Sequence, residues 1–456
     1  MPATNLEAIT RHAIHYSRVL ARANRTYLKG DKASTAGLKL FDRNRENICA
    51  ARSATTVQST ETADILCSAY PSLGTAIICL RLHPRERIEW IEQGLRAAIR
   101  LNDQESQAEH LNHLGVARWE VGQVTTAIDC HLEALAIHRE LGDKHGQASA
   151  FGNLANCYAI LGQTREALKY YRRTLATARE QQDRRMEAIS LGNIGSLCHA
   201  LGHFQTAARY YRKQIAAAKA IEDVELIASG LGNLGMTLMD LDKLTRAIKL
   251  FEQQLFLSRA IGDRSGENCA LGNLGLAAMK QGNPKRALDL QRAALALCQS
   301  LGDLVGAGRT MGNLGLIFEM FGKKGFAAKL HRGWLKLARE VGDHEGEGGA
   351  LANLGDLANL SGNYRLALKR YAEALAIFRE CGHRDDEAKT LFNASMALRA
   401  TGDTATANLY EKQALSIFKK LGLPQDNLNQ RQLAKRRTAS RDGRFPSSNK
   451  RLGPTI

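Results

Sequence analysis

The chain has 456 residues, with 63 Lys/Arg against 46 Asp/Glu for a net charge of +17; 44% of the residues are hydrophobic, 6% are aromatic and seven are proline. Such a length lies far above the size at which burial becomes marginal, and so few prolines and aromatics fit a helical array better than a β-rich fold. The nine cysteines are odd in number and form no Cys-x-x-Cys pair, which argues against a disulfide framework and for reduced thiols within a helical pattern.

From the N-terminus, residues 1–60 read as a basic helical segment, with ten Lys/Arg against four Asp/Glu. They contain no apolar run with a charged start and a small-residue cleavage site, so no signal peptide is indicated. Residues 61–103 read as a degenerate helical repeat. Arg85–Asp103 aligns with the second helix of the units that follow, Leu95 matching Leu135 and Asp103 matching Asp143. Ala63–Leu80 is the most apolar stretch, but Asp64, Pro71 and Gly74 interrupt it, which favours a buried helix pair over a membrane span.

Residues 104–421 repeat with a period of 40. Asparagine recurs at Asn153, Asn193, Asn233, Asn273, Asn313, Asn353 and Asn393. Alanine recurs fourteen residues later at Ala167, Ala207, Ala247, Ala287, Ala327, Ala367 and Ala407. An earlier unit has His113 in the first column and Ala127 in the second, which makes eight units. Within one unit, Gln147–Leu161 and Glu166–Glu180 each carry apolar residues at helical spacing, so a unit is two helices. Gly162 stops the first helix where a left-handed residue is needed, as do Gly202, Gly282, Gly322, Gly362 and Gly402; Asp242 departs. Asn283 followed by Pro284 reads as the N-cap and first residue of a second helix. Between units, Leu141-Gly142-Asp143, Ile261-Gly262-Asp263, Leu301-Gly302-Asp303 and Val341-Gly342-Asp343 read as a glycine stop followed by an aspartate cap. A helix pair with one apolar face must stack on its neighbours to bury it. The predicted fold is all-α, a solenoid of stacked antiparallel helix pairs.

Leu154, Ala155, Tyr158, Gly162, Ala167, Tyr171 and Leu175 together resemble the signature of the tetratricopeptide repeat. The column Gly115, Ala155, Gly195, Gly235, Gly275, Gly315, Gly355, Ser395 suits close helix approach, and Leu135, Leu175, Ile215, Leu255, Leu295, Leu335, Leu375, Leu415 suits a core. There are departures. His131, Gln291, His331 and Glu411 stand where Tyr171, Tyr211, Phe251 and Tyr371 place an aromatic, and the proline that often closes such repeats is missing. The period of 40, with Leu-Gly-Asn-Leu-Gly at 231–235 and 271–275, is similar to the longer-helix subtype of Pins/LGN-type adaptors. It also resembles the repeat arms of bacterial NB-ARC and related STAND-type signal-transduction ATPases. Tyr27–Asn47, Cys67–Pro71 and Leu82–Ile88 resemble the junction between such an ATPase and its arm, yet no Gly-x-x-x-x-Gly-Lys-Ser/Thr phosphate loop occurs. The resemblance implies a right-handed superhelix whose first helices line a concave groove. It covers about two-thirds of the chain and specifies fold far better than function.

Residues that carry chemistry are few. His199 and His203, beside Cys198, are spaced i, i+4, and His110 and His113 are spaced i, i+3. Either pair offers two metal ligands on one helical face, but neither has the remaining ligands nearby, so solvent-facing or capping histidines are expected. No Gly-x-Ser-x-Gly elbow, His-Glu-x-x-His or paired Cys/His zinc pattern is present. The expectation is a protein that is not an enzyme, with no catalytic, metal or cofactor residues.

The resemblance places Gly152, Asn153, Asn156, Ala159, Ile160 and their 40-residue equivalents along the groove. Candidate partner-binding residues are Asn153, Asn156, Asn193, Asn233, Met236, Asn273, Lys280, Arg309, Asn313, Asn353 and Asn393. Glycine at Gly152, Gly192, Gly232, Gly272 and Gly312 costs about 0.8 to 1 kcal/mol each relative to alanine. Two compensations stay open: close approach of a neighbouring helix, or room for an extended ligand whose amides meet the asparagine ladder. Charge in the groove reads as sparse and mixed, Glu120, Asp240, Glu319 and Asp356 against Lys280, Arg309, Lys389 and Arg399. The acidic groups lean toward the first half and the basic ones toward the last, which would orient a ligand. Met236, Met239 and Met279 read equally as an adaptable apolar surface and as core.

After Leu423-Pro424 the helical pattern stops, and residues 422–456 hold eight Lys/Arg against two Asp/Glu. This segment reads as a disordered basic tail, solvated or in weak contact with a polyanion. The two ends thus carry +12 of the net +17. Three classes of function remain: an adaptor binding a protein or peptide, a sensor or regulatory arm of a STAND/NB-ARC-type system, and a nucleic-acid-associated protein using its basic termini. The first is favoured, as a cytoplasmic protein-interaction scaffold in signal transduction with no membrane partner. Oligomeric state does not follow from the sequence.

Overall fold

A computed structural model describes residues 3–29, 31–58 and 60–421. The described residues form 21 helices and no strand. The expected disordered tail, 422–456, lies outside them.

Helices α1 (Ala3–Tyr27) and α2 (Asp31–Thr56) pair as a hairpin, followed by α3 (Glu61–Leu73), α4 (Thr75–Arg81) and α5 (Pro84–Arg100). The α3 and α4 axes bend by 72° at Gly74. The apolar stretch that contains them builds a local core: Tyr70 and Ile77 are fully buried with Leu20, Phe41 and Ile48. The Tyr70 hydroxyl donates to the Ala13 carbonyl at 2.9 Å, and its ring meets Trp90 edge-on at 6.3 Å. Among the described residues no single helix is long and apolar enough to cross a membrane.

Eight two-helix units follow: α6 (Gln104–Glu120) with α7 (Val124–Glu140), α8 (Lys144–Ile160) with α9 (Thr164–Glu180), α10 (Arg184–Ala200) with α11 (Phe204–Lys219), and α12 (Val224–Asp240) with α13 (Leu244–Ala260). The last four are α14 (Arg264–Lys280) with α15 (Pro284–Leu301), α16 (Leu304–Met320) with α17 (Lys324–Val341), α18 (His344–Leu360) with α19 (Tyr364–Glu380), and α20 (Arg384–Ala400) with α21 (Thr404–Leu421). Local chemistry sets these bounds. The carboxylates of Asp103, Asp143, Asp183, Asp223, Asp263, Asp303 and Asp343 each accept from the backbone N–H three residues on, at 2.8 to 3.1 Å. Asn283 caps α15 in the same way, with Pro284 at the first helical position. Each unit's internal turn carries a left-handed residue, Gly162 at φ +70° for example, and Asp242 adopts φ +55° in the glycine's place.

The alanine column from Ala127 to Ala407 is fully buried between the two helices of each unit. Across from it, the small column faces a large side chain of the second helix. A Cβ on Gly195 would lie 2.9 Å from the Tyr211 ring, and one on Gly235 only 2.5 Å from Phe251. These glycines let the paired helices close over a ring that fills the gap.

The first helices of consecutive units touch one another, whereas the second helices hardly do. Wedge-shaped units of this kind bend the stack toward the first helices, so these line the inside and α7, α9, α11 and their successors form the outside. The bend brings distant units together. Leu421 packs at Gly162, Cys381 at Gly122, and the Arg81 guanidinium donates to the Leu301 carbonyl at 3.5 Å. The first two pairs are each 259 residues apart (162 to 421, 122 to 381), about six and a half units per superhelical turn.

Candidate binding groove

Along the inside, Asn153, Asn193, Asn233, Asn273, Asn313 and Asn353 are all half-buried on the first helices. Among the described residues none of these six side chains has a hydrogen-bond partner. Each therefore carries an unpaired amide, with two N–H donors and a carbonyl acceptor. The remaining asparagines differ. Asn393 donates to Asp356 Oδ1 at 2.9 Å, and the exposed Asn156 accepts from the Tyr171 hydroxyl at 2.5 Å. His113, in the same column, is half-buried, and burial holds its imidazole below the usual histidine range.

The adjoining glycines divide into two groups. Beside Gly192 and Gly232 the space of a Cβ is occupied by the Gln214 and Gln254 amides, each 2.7 Å away, and beside Gly312 by the Trp334 ring at 2.8 Å. The Gln214 and Gln254 carbonyl oxygens are buried without a hydrogen-bond partner. At Gly272 nothing lies within 4 Å, and at Gly152 only Thr174 reaches that distance. Side chains from the unit's own second helix, not a neighbouring backbone, thus close the floor in some units and leave it open in others.

Most of the charged candidates are paired with nearby side chains, which weakens the expected directional field. Asp240 accepts from His199 at 2.9 Å and lies 3.9 Å from Lys280, whose ammonium also donates to the Met239 carbonyl at 3.1 Å. Glu120 pairs with Arg87, Glu319 with the buried His331, and Arg399 with Glu411. Lys389 is held by Asp385 and Asp386; burial works against its charge, but the two carboxylates outweigh it and raise its pKa. Charges neutralised locally steer a ligand weakly. Met239 is core at 4% exposure, while Met236 and Met279 are half-buried. Met236 is followed along the groove by half-buried Leu276 and Leu316, so an apolar strip runs beside the asparagines.

The histidines are corrected too. His110 is not solvent-facing: it is buried, bonded to Ser68 at 3.0 Å, and burial holds its pKa low. His199 belongs to the Asp240 pair, and no group of three metal-ligating side chains forms among the described residues. Two features have no counterpart in the sequence reading. A hydroxyl or imidazole on the second helix bonds a polar residue on the first, as in Tyr211 to Ser196 and Tyr371 to Asp356. The second is the seam between superhelical turns, with a cavity of about 560 Å³ lined by Arg81, His83, Trp119, Asp303, the exposed Arg309 and Cys381.

Stacked two-helix units of this kind define a helical-repeat protein. Tetratricopeptide-repeat models match residues 106–180, 266–340, 347–420 and 190–225, together more than half of the chain, and the chain belongs to that family. No curated protein matches it. Among solved structures, a Rap protein complexed with competence and sporulation factor aligns at TM-score 0.52 and 13% identity, covering 91% of this chain and 98% of that one. This likeness extends the shared fold beyond the repeats to the N-terminal helices. Aspartyl phosphate phosphatase F from Bacillus subtilis gives TM-score 0.48 and 13% identity, covering 82% and 95%. The apo form of RapI gives 0.47 and 17%, covering 60% and 98%.

Proposed function

We propose that this protein is an interaction scaffold that holds an extended protein or peptide segment along its inner groove. The observation that carries this reading is the row of six half-buried, unpartnered asparagine amides from Asn153 to Asn353. Amides held by a rigid solenoid and lacking internal partners suit the unsatisfied N–H and C=O groups of an extended backbone. The Met236, Leu276 and Leu316 strip gives that segment an apolar contact, and the open floor at Gly152 and Gly272 gives it room. The directional role assigned to Lys280 is dropped, since its charge is used within the wall. Of the basic candidates Arg309 is exposed and has no ion-pair partner among the described residues, and it lines the seam cavity.

The test pairs two readouts on Asn273→Ala/Asn313→Ala, against a partner isolated with the intact protein. Affinity should fall by roughly 1 to 3 kcal/mol, the cost of losing hydrogen bonds in a desolvated site, with the melting temperature nearly unchanged. Unchanged affinity in well-folded protein would remove the ladder from the site. The finer reading, a regulatory arm of a signalling ATPase system in the cytoplasm, rests on the N-terminal junction resemblance. Co-purification of such an ATPase with the full chain, lost on truncating residues 1–103, would support it.

A further inference from the structure

The solenoid sorts its charge by face. Outer helices α9, α11, α13, α15, α17 and α19 hold 24 Lys/Arg against 7 Asp/Glu. The inner helices α8, α10, α12, α14, α16 and α18 hold 6 against 8. A net charge that looks confined to the chain ends therefore hides a strongly basic outer wall, at +17 over these six helices, beside inner helices that are close to neutral at −2. We propose that this outer face is a second interaction surface, one that binds the phosphate chain of a single-stranded nucleic acid.

Two columns carry the charge. Lys169, Arg209, Lys249, Lys329 and Lys369 are exposed at one repeat position, Asp289 being the interruption. Arg172, Arg212, Arg292 and Arg332 lie three residues further on, adjacent on the same helical face, with Glu252 and Ala372 as the interruptions of this column. None of these four arginines has an ion-pair partner among the described residues. A different column shows what structural arginines look like here: Arg179, Arg259, Arg339 and Arg379 each bond the glutamate eight residues on, at 2.7 to 2.8 Å. The stripe also has an end. On α7 the corresponding positions are Asp129 and Leu132, so the wall is not uniformly basic.

Geometry selects the partner. Directly packed helix axes lie about 8 to 10 Å apart and the outer helices hardly touch one another, so six of them present a stripe of at least roughly 50 Å that follows the curve of the wall. A planar bilayer or a rigid duplex meets a convex wall at one or two helices, whereas a flexible strand can follow all six. The exposed apolar anchors that a membrane would need are few on these helices, Phe256 on α13, Phe326 on α17 and Leu366 on α19. Arginine's planar fork matches phosphate oxygens, and one charge per nucleotide matches cations on every helix. The Tyr170 ring is stacked on Tyr158 and meets Arg173, and the Tyr210 ring is flanked by Arg209 and Lys213, so cations already occupy the faces of both rings on this side. Recognition is therefore by phosphate and indifferent to sequence.

Fluorescence anisotropy of a labelled 30-nucleotide oligouridylate with the full chain, across a salt series, tests this. The variant Arg172→Gln/Arg212→Gln/Arg292→Gln/Arg332→Gln should flatten the log Kd against log salt slope by about 3, at about 0.7 per lost contact, and weaken binding at least about tenfold at low salt. Glutamine keeps helix propensity, so circular dichroism should not change. If that variant fails to fold, Lys169→Gln/Lys249→Gln/Lys329→Gln gives the same comparison on the neighbouring column. The basic ends are identical in all three proteins, so an unchanged slope assigns the contact to them and overturns the proposal. So would no binding at low salt, or displacement of the oligonucleotide as readily by polyglutamate or phosphatidylserine vesicles as by unlabelled strand.

Discussion

A methyl group on Gly235 would lie 2.5 Å from the Phe251 ring, while one on Gly272 would meet nothing within 4 Å. Gly235→Ala should therefore destabilise by about 1 to 3 kcal/mol through overpacking. Gly272→Ala should stabilise by up to about 1 kcal/mol through helix propensity while narrowing the groove. Chemical denaturation of both variants checks the contrast, and loss of stability in Gly272→Ala would close the space that the binding model needs. The buried histidines make a second prediction. Desolvation lowers the His131 pKa to about 4, and that of His110 in the same direction. Their unfolded pKa is about 6.5, so the unfolded chain binds more protons in this window. Stability is complete above about pH 6.5 and falls as the pH drops toward 4. His131→Phe, which puts the ring of Phe251 at the equivalent place, should recover roughly 2 to 3 kcal/mol of the loss at pH 4. An unaltered acid transition in urea melts would contradict this. Sequence alone showed one uniform glycine column; a member is filled where glutamine or tryptophan stands at the facing position, as at Gln214, Gln254 and Trp334, and open where it is Thr174 or Ala294.

At the scale of the helix, the ends are set by groups within four residues. That is why the glycine stops, the aspartate caps and the Asn283–Pro284 start could all be read directly from the chain. Asp263→Ala removes the cap of α14 and should cost about 1 kcal/mol, read as a shift of the denaturation midpoint. A clamp spanning three of the junctions was less legible. Glu267, 7% exposed, accepts from Arg259 at 2.8 Å and Arg264 at 3.0 Å, and Glu187 and Glu387 repeat the arrangement. In the sequence these residues read as ordinary surface charge. Only the packing of one unit's second helix on the next unit's first buries the glutamate between them. Most of the charged groove candidates are likewise paired, Glu120, Asp240 and Lys280 with neighbouring units and Glu319, Lys389 and Arg399 within their own.

The whole molecule adds a property that no single repeat contains. Small rotations from unit to unit accumulate until Leu421 reaches Gly162, a contact 259 residues apart that a 40-residue pattern cannot encode. The seam is held by few polar contacts around a cavity, so it should yield before the repeats do. Arg81→Glu places a carboxylate against the Leu301 carbonyl and beside Asp303. Small-angle scattering should then show a larger radius of gyration with the melting temperature nearly unchanged; an unaltered profile would mean that stacking alone fixes the pitch. The central claim, that a partner lies inside the solenoid, is tested most directly by hydrogen–deuterium exchange of the complex against the free protein. Protection should concentrate in α12, α14 and α16, which carry Asn233, Asn273 and Asn313, with α11, α13 and α15 unaffected. Protection confined to the outer helices would contradict the account.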